Sequence, residues 1–424
     1  MIMPGLSYRR LLIPALLALL ITACERDNTM PPDPGKEAFN FIVTEAQHEY
    51  INASRGEQYE VTDPLPVLEY AGEEYTIHRF EIRGDNTLNF ERKGFGLNMD
   101  RRLTFPLPDG SGMGKYEEFK LLAMVYDYTY IENSVATGFF REAGLWPVLS
   151  FFTEVRLNGR TQGLYHFIED PFEFFIERAY SSFVIRRGYD HVIKASSANP
   201  AKTAEIDSYK KRFKRIYESL PRWSGKQLYD TLSVYLDLEQ YFAKIAIDLL
   251  LKNGDYTDEL IFYTKIADGK ELFGVFPWDL DDIFSDQPHE IGNPWGTGTV
   301  FGAREYYSME DIYADVGEKL LYSVEDDLDY IIAKDDFLYN RYLEILESVI
   351  EKTDISVIDR VFDHTSDQIG PFYEVDSIIV QSVHDEDETN NALFRTNLEE
   401  KRQMIKERRE WIAGELRKQK SLKE

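Results

Sequence analysis

Cysteine is the scarcest residue in this 424-residue sequence. There is one, Cys24, so no internal disulfide can form and the body of the chain holds no thiol for nucleophilic catalysis. The seven histidines show no HExxH or HxH spacing, which argues against a zinc enzyme. No GxSxG elbow is present. The segment DGSGMGK at 109–115 lacks the spacing of a phosphate-binding P-loop, with Tyr116 where Ser or Thr is required, and reads as a flexible loop. Positive charge is also in short supply. Lys and Arg total 48 against 75 Asp and Glu, a net charge of -27, and a surface that acidic repels phosphate backbones. Nucleic acid is therefore not an expected partner. Long apolar runs are missing too: after Ala23 nothing is long and apolar enough to span a bilayer.

What is present begins with a leader. Arg9 and Arg10 precede an apolar run from Leu11 to Ala23 that ends Ile21-Thr22-Ala23-Cys24. A basic head, a short apolar middle and small residues before a cut describe an export signal. With cysteine directly after the cut, residues 1–23 resemble a bacterial lipoprotein signal, which implies that Cys24 is lipid-modified. The expected location is the bacterial cell envelope, outside the cytoplasm, with lipid rather than charge holding the chain to a membrane.

Residues 24–40 are polar, contain three prolines and suit a tether. Residues 41–170 read as a β-rich N-lobe, because short alternating runs such as YTIHRFEIRGDNTLNF are broken by Gly, Asp and Asn. Within that span Phe119–Leu145 reads as a helix, with Leu122, Val125, Tyr126, Thr129 and Tyr130 on one face. Phe151–Asp170 reads as a hairpin turning at Asn158-Gly159, two residues that accept positive φ. Residues 171–424 read as a mainly helical C-lobe. Helices are expected over 204–219, 237–252, 336–352, 355–369 and 392–418, interrupted by a strand pair turning at Asp268-Gly269. The acidic run 384–388 reads as a solvated loop.

Two acidic segments carry the chemistry. In FPWDLDDIF, Asp279 and Asp281 stand two apart after an apolar strand, so a continuing strand would project both from one face. Hard oxygen ligands there suit Mg²⁺ or Mn²⁺ with a polyphosphate; the plainer reading is a turn with capping aspartates. In KNGDYTDELIFY a helix stops at Asn253-Gly254 and Asp255 opens a loop. One aspartate orienting a hydroxyl while another binds metal is the pattern of phosphoryl transfer, and an Asx-turn at the helix exit is the alternative. Arg92-Lys93, with Arg83 near, would face a phosphate or form a solvated turn.

Read in order, IRGDNTLNFERKGFGLNMD, FKLLAMVYDYTYIENSVATGFFREAGL, VRLNGRTQGLYHFIED, LLLKNGDYTDELIFYTK and FGVFPWDLDDIF resemble the spore-coat protein H (CotH) kinase family over about residues 77–415. The resemblance implies an α+β, atypical protein-kinase-like two-lobed fold, β-rich N-lobe followed by helical C-lobe. It implies a kinase using ATP with Mg²⁺ or Mn²⁺ to phosphorylate a protein. Asp255 then takes the catalytic place and Asp279 the metal-binding place, with Asp281 beside it. Glu259 stands where the family usually carries an asparagine ligand, and Glu169 lies near the nucleotide. The basic strand of the family is replaced by Gly94-Phe95-Gly96-Leu97-Asn98, which leaves Lys93, with Arg83, as the cation for phosphate. The rival expectation is a non-catalytic envelope lipoprotein that binds glycan or protein.

Overall fold

The computed structural model describes residues 38–84, 86–106, 112–187, 194–198, 203–255, 259–288, 300–302, 304, 306–382 and 389–421. The signal segment 1–23, Cys24, most of the tether and the acidic run 384–388 lie outside them.

Eight strands form the first sheet: β1 Phe39–Ile42, β2 Tyr59–Glu60, β3 Val67–Tyr70, β4 Glu73–Arg83, β5 Gly94–Pro106, β6 Met113–Leu122, β7 Ser150–Leu157 and β8 Arg160–Glu169. A helix, α1 (Glu45–Ala53), follows β1 and is closed at its start by a capping box of Thr44 and Gln47. The strand order is β2-β4-β3-β1-β7-β8-β6-β5, and β4 also pairs with β5. That last pairing closes β4-β3-β1-β7-β8-β6-β5 into a seven-stranded barrel. Neighbours are antiparallel except β1 and β7, which run parallel with Phe39 opposite Val155. Bulges between Ile77 and Arg79 on β4 and between Asn98 and Leu103 on β5 add the bend that lets long strands curl shut.

Alternation decides what fills the barrel. Phe151, Tyr165 and Phe167 point inward and join Phe39, Phe41, Phe80, Phe95, Phe105 and Phe119. The rings interlock, with Phe119 stacked on Phe167 at 4.7 Å and Phe151 on Phe167 at 4.5 Å. Their neighbours Phe152, Leu164 and Ile168 point outward into a second core. The β7–β8 hairpin is thus a wall shared by both cores. Its turn has Asn158 at φ 51° and Gly159 at φ 75°, the left-handed pair that such a hairpin requires.

The second core is built from α2 (Ile131–Glu142), a four-stranded sheet and a set of helices. The sheet holds β9 (Phe183–Arg186), β10 (Lys194–Ser197), β11 (Leu260–Ala267) and β12 (Lys270–Pro277) in the order β10-β9-β11-β12. The helices are α3 (Thr203–Ser219), α4 (Gly225–Leu232), α5 (Leu238–Leu251), α6 (Met309–Val316), α7 (Asp327–Lys334), α8 (Asp336–Lys352), α9 (Ile355–Ile369), α10 (Asp376–Ser382) and α11 (Asn391–Ser421). The expected C-terminal helices therefore stand within a few residues of their boundaries. No helix among the described residues is long and apolar enough to cross a membrane.

Two expectations are overturned. The fold is mixed α+β, but not a protein-kinase-like arrangement of two lobes: the N-terminal strands close into a barrel. One continuous core runs from Met124 through the outer faces of β7 and β8 to Leu416. Phe119–Leu145 is likewise not one helix. Residues up to Leu122 are β6, held in the barrel by β5 and β8, and α2 starts only at Ile131.

Candidate active site

Three loops meet beside the barrel wall. The first follows α5. Lys252 takes the left-handed conformation (φ 55°) and its N–H bonds to the Asp248 carbonyl, ending the helix. Asn253 is buried and donates from Nδ2 to Asp248 Oδ1 at 3.1 Å. The Gly254 N–H bonds to the Asp282 carbonyl at 2.7 Å. A Cβ on Gly254 would collide with the Asp282 carboxylate and with Ser285. Glycine is needed here because the Asp282 and Ser285 side chains fill the space a Cβ would take, and not for an unusual φ. Asp255, half-buried, comes next.

The second loop follows β12, which stops at Pro277. Asp279 is left-handed (φ 48°), as is Phe284 (φ 63°). The strand ends at Pro277 and Asp279 leaves the extended conformation, so Asp279 and Asp281 are not successive outward positions of a continuing strand. The Phe284 and Ser285 N–H groups bond to the carbonyls of Leu251 and Lys252 at 2.9 and 3.1 Å, lacing this loop to the end of α5.

The third loop precedes α2. Asp127 accepts the Asn133 N–H on Oδ2 at 3.0 Å, which holds the start of the helix. Its Oδ1 is buried with no hydrogen-bond partner. Among the described residues ten non-glycines have left-handed φ, and five of them (Met124, Tyr130, Lys252, Asp279 and Phe284) flank these three loops. Strain of this kind gathers where side chains are being aimed.

Charge makes the three loops one site. Burial pushes the Asp281 carboxyl well above the usual carboxylate range, and the negative charges of Asp279, Asp127 and Asp255 push it further. Burial and then Glu132 raise Asp127 to about 7. Glu132 is raised by burial and by Asp282, opposed by Lys401 of α11, whose Nζ is 2.7 Å from Glu132 Oε1. Among the described residues, no three His, Cys, Asp or Glu side chains form a ready metal cage. Mg²⁺ does not require one: it keeps several waters and takes one or two carboxylates together with substrate phosphates. The unpartnered Asp127 Oδ1 and the negative charges acting on Asp281 are features that suit such a cation.

The remaining sequence candidates are engaged as follows. Glu259, at the start of β11, is ion-paired to Arg186 at 2.7 Å, and its carbonyl accepts the Trp278 N–H. Lys93 is buried, donating to the carbonyls of Ser54 and Leu88 at 2.7 Å and Phe90 at 2.5 Å, and desolvation lowers it to about 8. The Arg83 side chain lies across Gly96 on the neighbouring strand. Glu169 is buried, pushed up to about 7 by burial, ion-paired to Arg178, and accepts the Leu149 N–H at 3.1 Å.

Two residues were missed. Lys120 on β6 is buried, 2.9 Å from Asp170 and 4.5 Å from the centre of the Trp278 ring, immediately beside Asp279 in sequence. Asp127 is the other. A lysine between Phe119 and Leu121 in a strand that buries its neighbours was the available signal, but a helical reading of the segment hides it.

A family model described as CotH kinase protein matches residues 80–412 of the chain. The inner spore coat protein H of Bacillus subtilis (strain 168) is 21% identical over 245 residues, 54% of this chain. The match spans 64% of that relative's length, a little less than two thirds.

Proposed function

Because the chain belongs to the CotH kinase protein family, we propose that it transfers a phosphoryl group from ATP to a protein hydroxyl, with Mg²⁺ or Mn²⁺ at the acidic site. The observation that carries this reading is the convergence of charge on Asp281 from Asp279, Asp127 and Asp255, drawn from three separate segments. Four carboxylates crowded in a partly dry site repel one another, and a divalent cation is the natural occupant.

Asp279 and Asp281 would hold the cation, which when bound neutralises charge on the phosphates. Asp255 on its short loop would accept a hydrogen bond from the acceptor hydroxyl and align it; with a loose transition state, alignment matters more than full proton removal. Lys120, kept in place by Asp170 and Trp278, is better placed to meet a phosphate than Lys93, whose donors are taken by three carbonyls. Arg83 and Glu169 would act at the barrel edge, Glu169 through its pairing with Arg178.

The site of action follows from the leader. We infer a lipid anchor at Cys24 and a place in the cell envelope with an extracytoplasmic protein substrate, in keeping with the spore-coat name of the relative. A second reading, a non-catalytic module binding glycan or protein, draws on Glu259, which is engaged by Arg186.

Calorimetry with ATP·Mg and ATP·Mn, followed by incubation with labelled ATP and envelope proteins, tests the proposal. Binding and label transfer support it. Absence of nucleotide binding overturns it and favours the binding module.

A further inference from the structure

We propose that Asp248, bridging Lys244 and Asn253 inside the helical core, is a positioning residue that sets the direction of Asp255. The inference rests on Asp255 being the carboxylate that meets the acceptor hydroxyl.

Ending α5 needs little. Lys252 is left-handed and its N–H already bonds to the Asp248 carbonyl, which satisfies the helix exit. The Asp248 side chain is surplus to that task. Its Oδ2 lies 2.7 Å from Lys244 Nζ, one turn earlier on α5, and its Oδ1 accepts from Asn253 Nδ2 at 3.1 Å. The Asn253 N–H bonds to the Asp248 carbonyl at 3.1 Å, so Asn253 is gripped by both backbone and side chain. Lys244, Asp248 and Asn253 are each at most 1% exposed.

Burying an ion pair gains little stability over an apolar pair of the same volume. What it fixes is geometry. Asn253 is clamped to α5 and Gly254 to the Asp282 carbonyl, so residue 255 leaves from a peptide held on two sides. Farther in, Asp329 supports the Lys244 charge while Arg187 opposes it. The direction of Asp255 is thereby tied to the buried end of α5.

The test compares the full chain with Asn253→Ala and with Lys244→Met/Asp248→Leu, which removes both charges at similar volume. ATP·Mg affinity, phosphate transfer and amide hydrogen exchange at residues 252–255 are read in each. In both variants ATP·Mg affinity should stay at the unsubstituted value, because Asp279 and Asp281 are untouched. Exchange at Gly254 and Asp255 should quicken by ~10-fold or more as local opening becomes easier, and transfer should fall ~100-fold, the usual cost of a misplaced reacting group. Unaltered exchange, or unaltered transfer alongside quickened exchange, in a folded double variant overturns the proposal. If the unsubstituted chain binds no nucleotide, the kinase reading fails instead, and the exchange data still decide whether Asp248 holds the loop.

Discussion

Two clusters of buried charge lie close together in this molecule and are built on opposite plans. In the helical core, Arg187 is fully buried between Asp326 at 3.4 Å and the Tyr241 hydroxyl at 3.0 Å, and Tyr241 donates to Asp329 at 2.7 Å. Burial opposes the Arg187 charge, but the carboxylates around it outweigh that and keep it ionised. Lys244 and Asp248 extend the same alternation of sign. At the acidic site like charges gather: Asp279, Asp127 and Asp255 each add negative charge to Asp281, and Lys401, ion-paired to Glu132, offsets part of the charge at Asp127. Burial is common to both. Where charges cancel, the cluster is architecture; where they accumulate, a bound cation would relieve the repulsion.

The sharpest way to break the first cluster is Arg187→Met. It strands Asp326 and Asp329 in the core and should cost about 3–5 kcal/mol, measured by denaturant unfolding. A loss below 1 kcal/mol would mean that the network is not structural at all.

At the acidic site the same kind of change should cost activity and leave the fold intact. Asp255→Asn should lower transfer by ~100-fold while ATP·Mg affinity holds. Asp279→Asn should weaken nucleotide binding itself, read by calorimetry. Equal binding losses in the two variants would erase the distinction between them.

Asp281→Asn should raise stability, by on the order of 1 kcal/mol at pH 7.5. The sign follows from proton counting. Asp127 and Asp281 have raised values in the folded chain, so between about pH 4 and about pH 7 the folded state holds more protons and stability falls as pH rises. Thermal unfolding at pH 5 and 7.5 should show this fall, flattened in Asp281→Asn and offset by Mg²⁺ at pH 7.5 far more than at pH 5. A steeper fall in the variant would contradict the assignment.

Glu259→Gln should do least. With its carboxylate on Arg186, ATP·Mg affinity should not move, whereas a loss matching that of Asp279→Asn would return Glu259 to the cation site.

Much of this was legible in the residues. Alternation along YTIHRFEIR and the Asn158-Gly159 turn announce strands and a hairpin, and the C-terminal helices follow their periodicity. Closure of the barrel was not legible, because it depends on β4 meeting β5 and on β1 lying parallel to β7, contacts set by register between distant strands. Asp255, Asp279 and Asp281 stood out by motif. Lys93 and Glu259 were placed by the family resemblance, and a resemblance cannot see the carbonyls of Ser54, Leu88 and Phe90 or the guanidinium of Arg186. Asp127 and Lys120 were hidden by apolar residues whose order suits either a helix or a strand followed by a loop.

The position of β1 has a mechanical consequence. This short strand is an inner stave, bonded to β7 from Phe39 to Phe41 on one side and to β3 from Asn40 to Ile42 on the other. A pull applied to the chain just before Phe39 acts along the strand and loads both ladders in shear, so the bonds must fail together rather than unzip in turn. With Phe39 and Phe41 also locked among the interior rings, the barrel is a cleat: tension applied to the chain before Phe39 would be borne by the barrel wall before it reached the acidic loops.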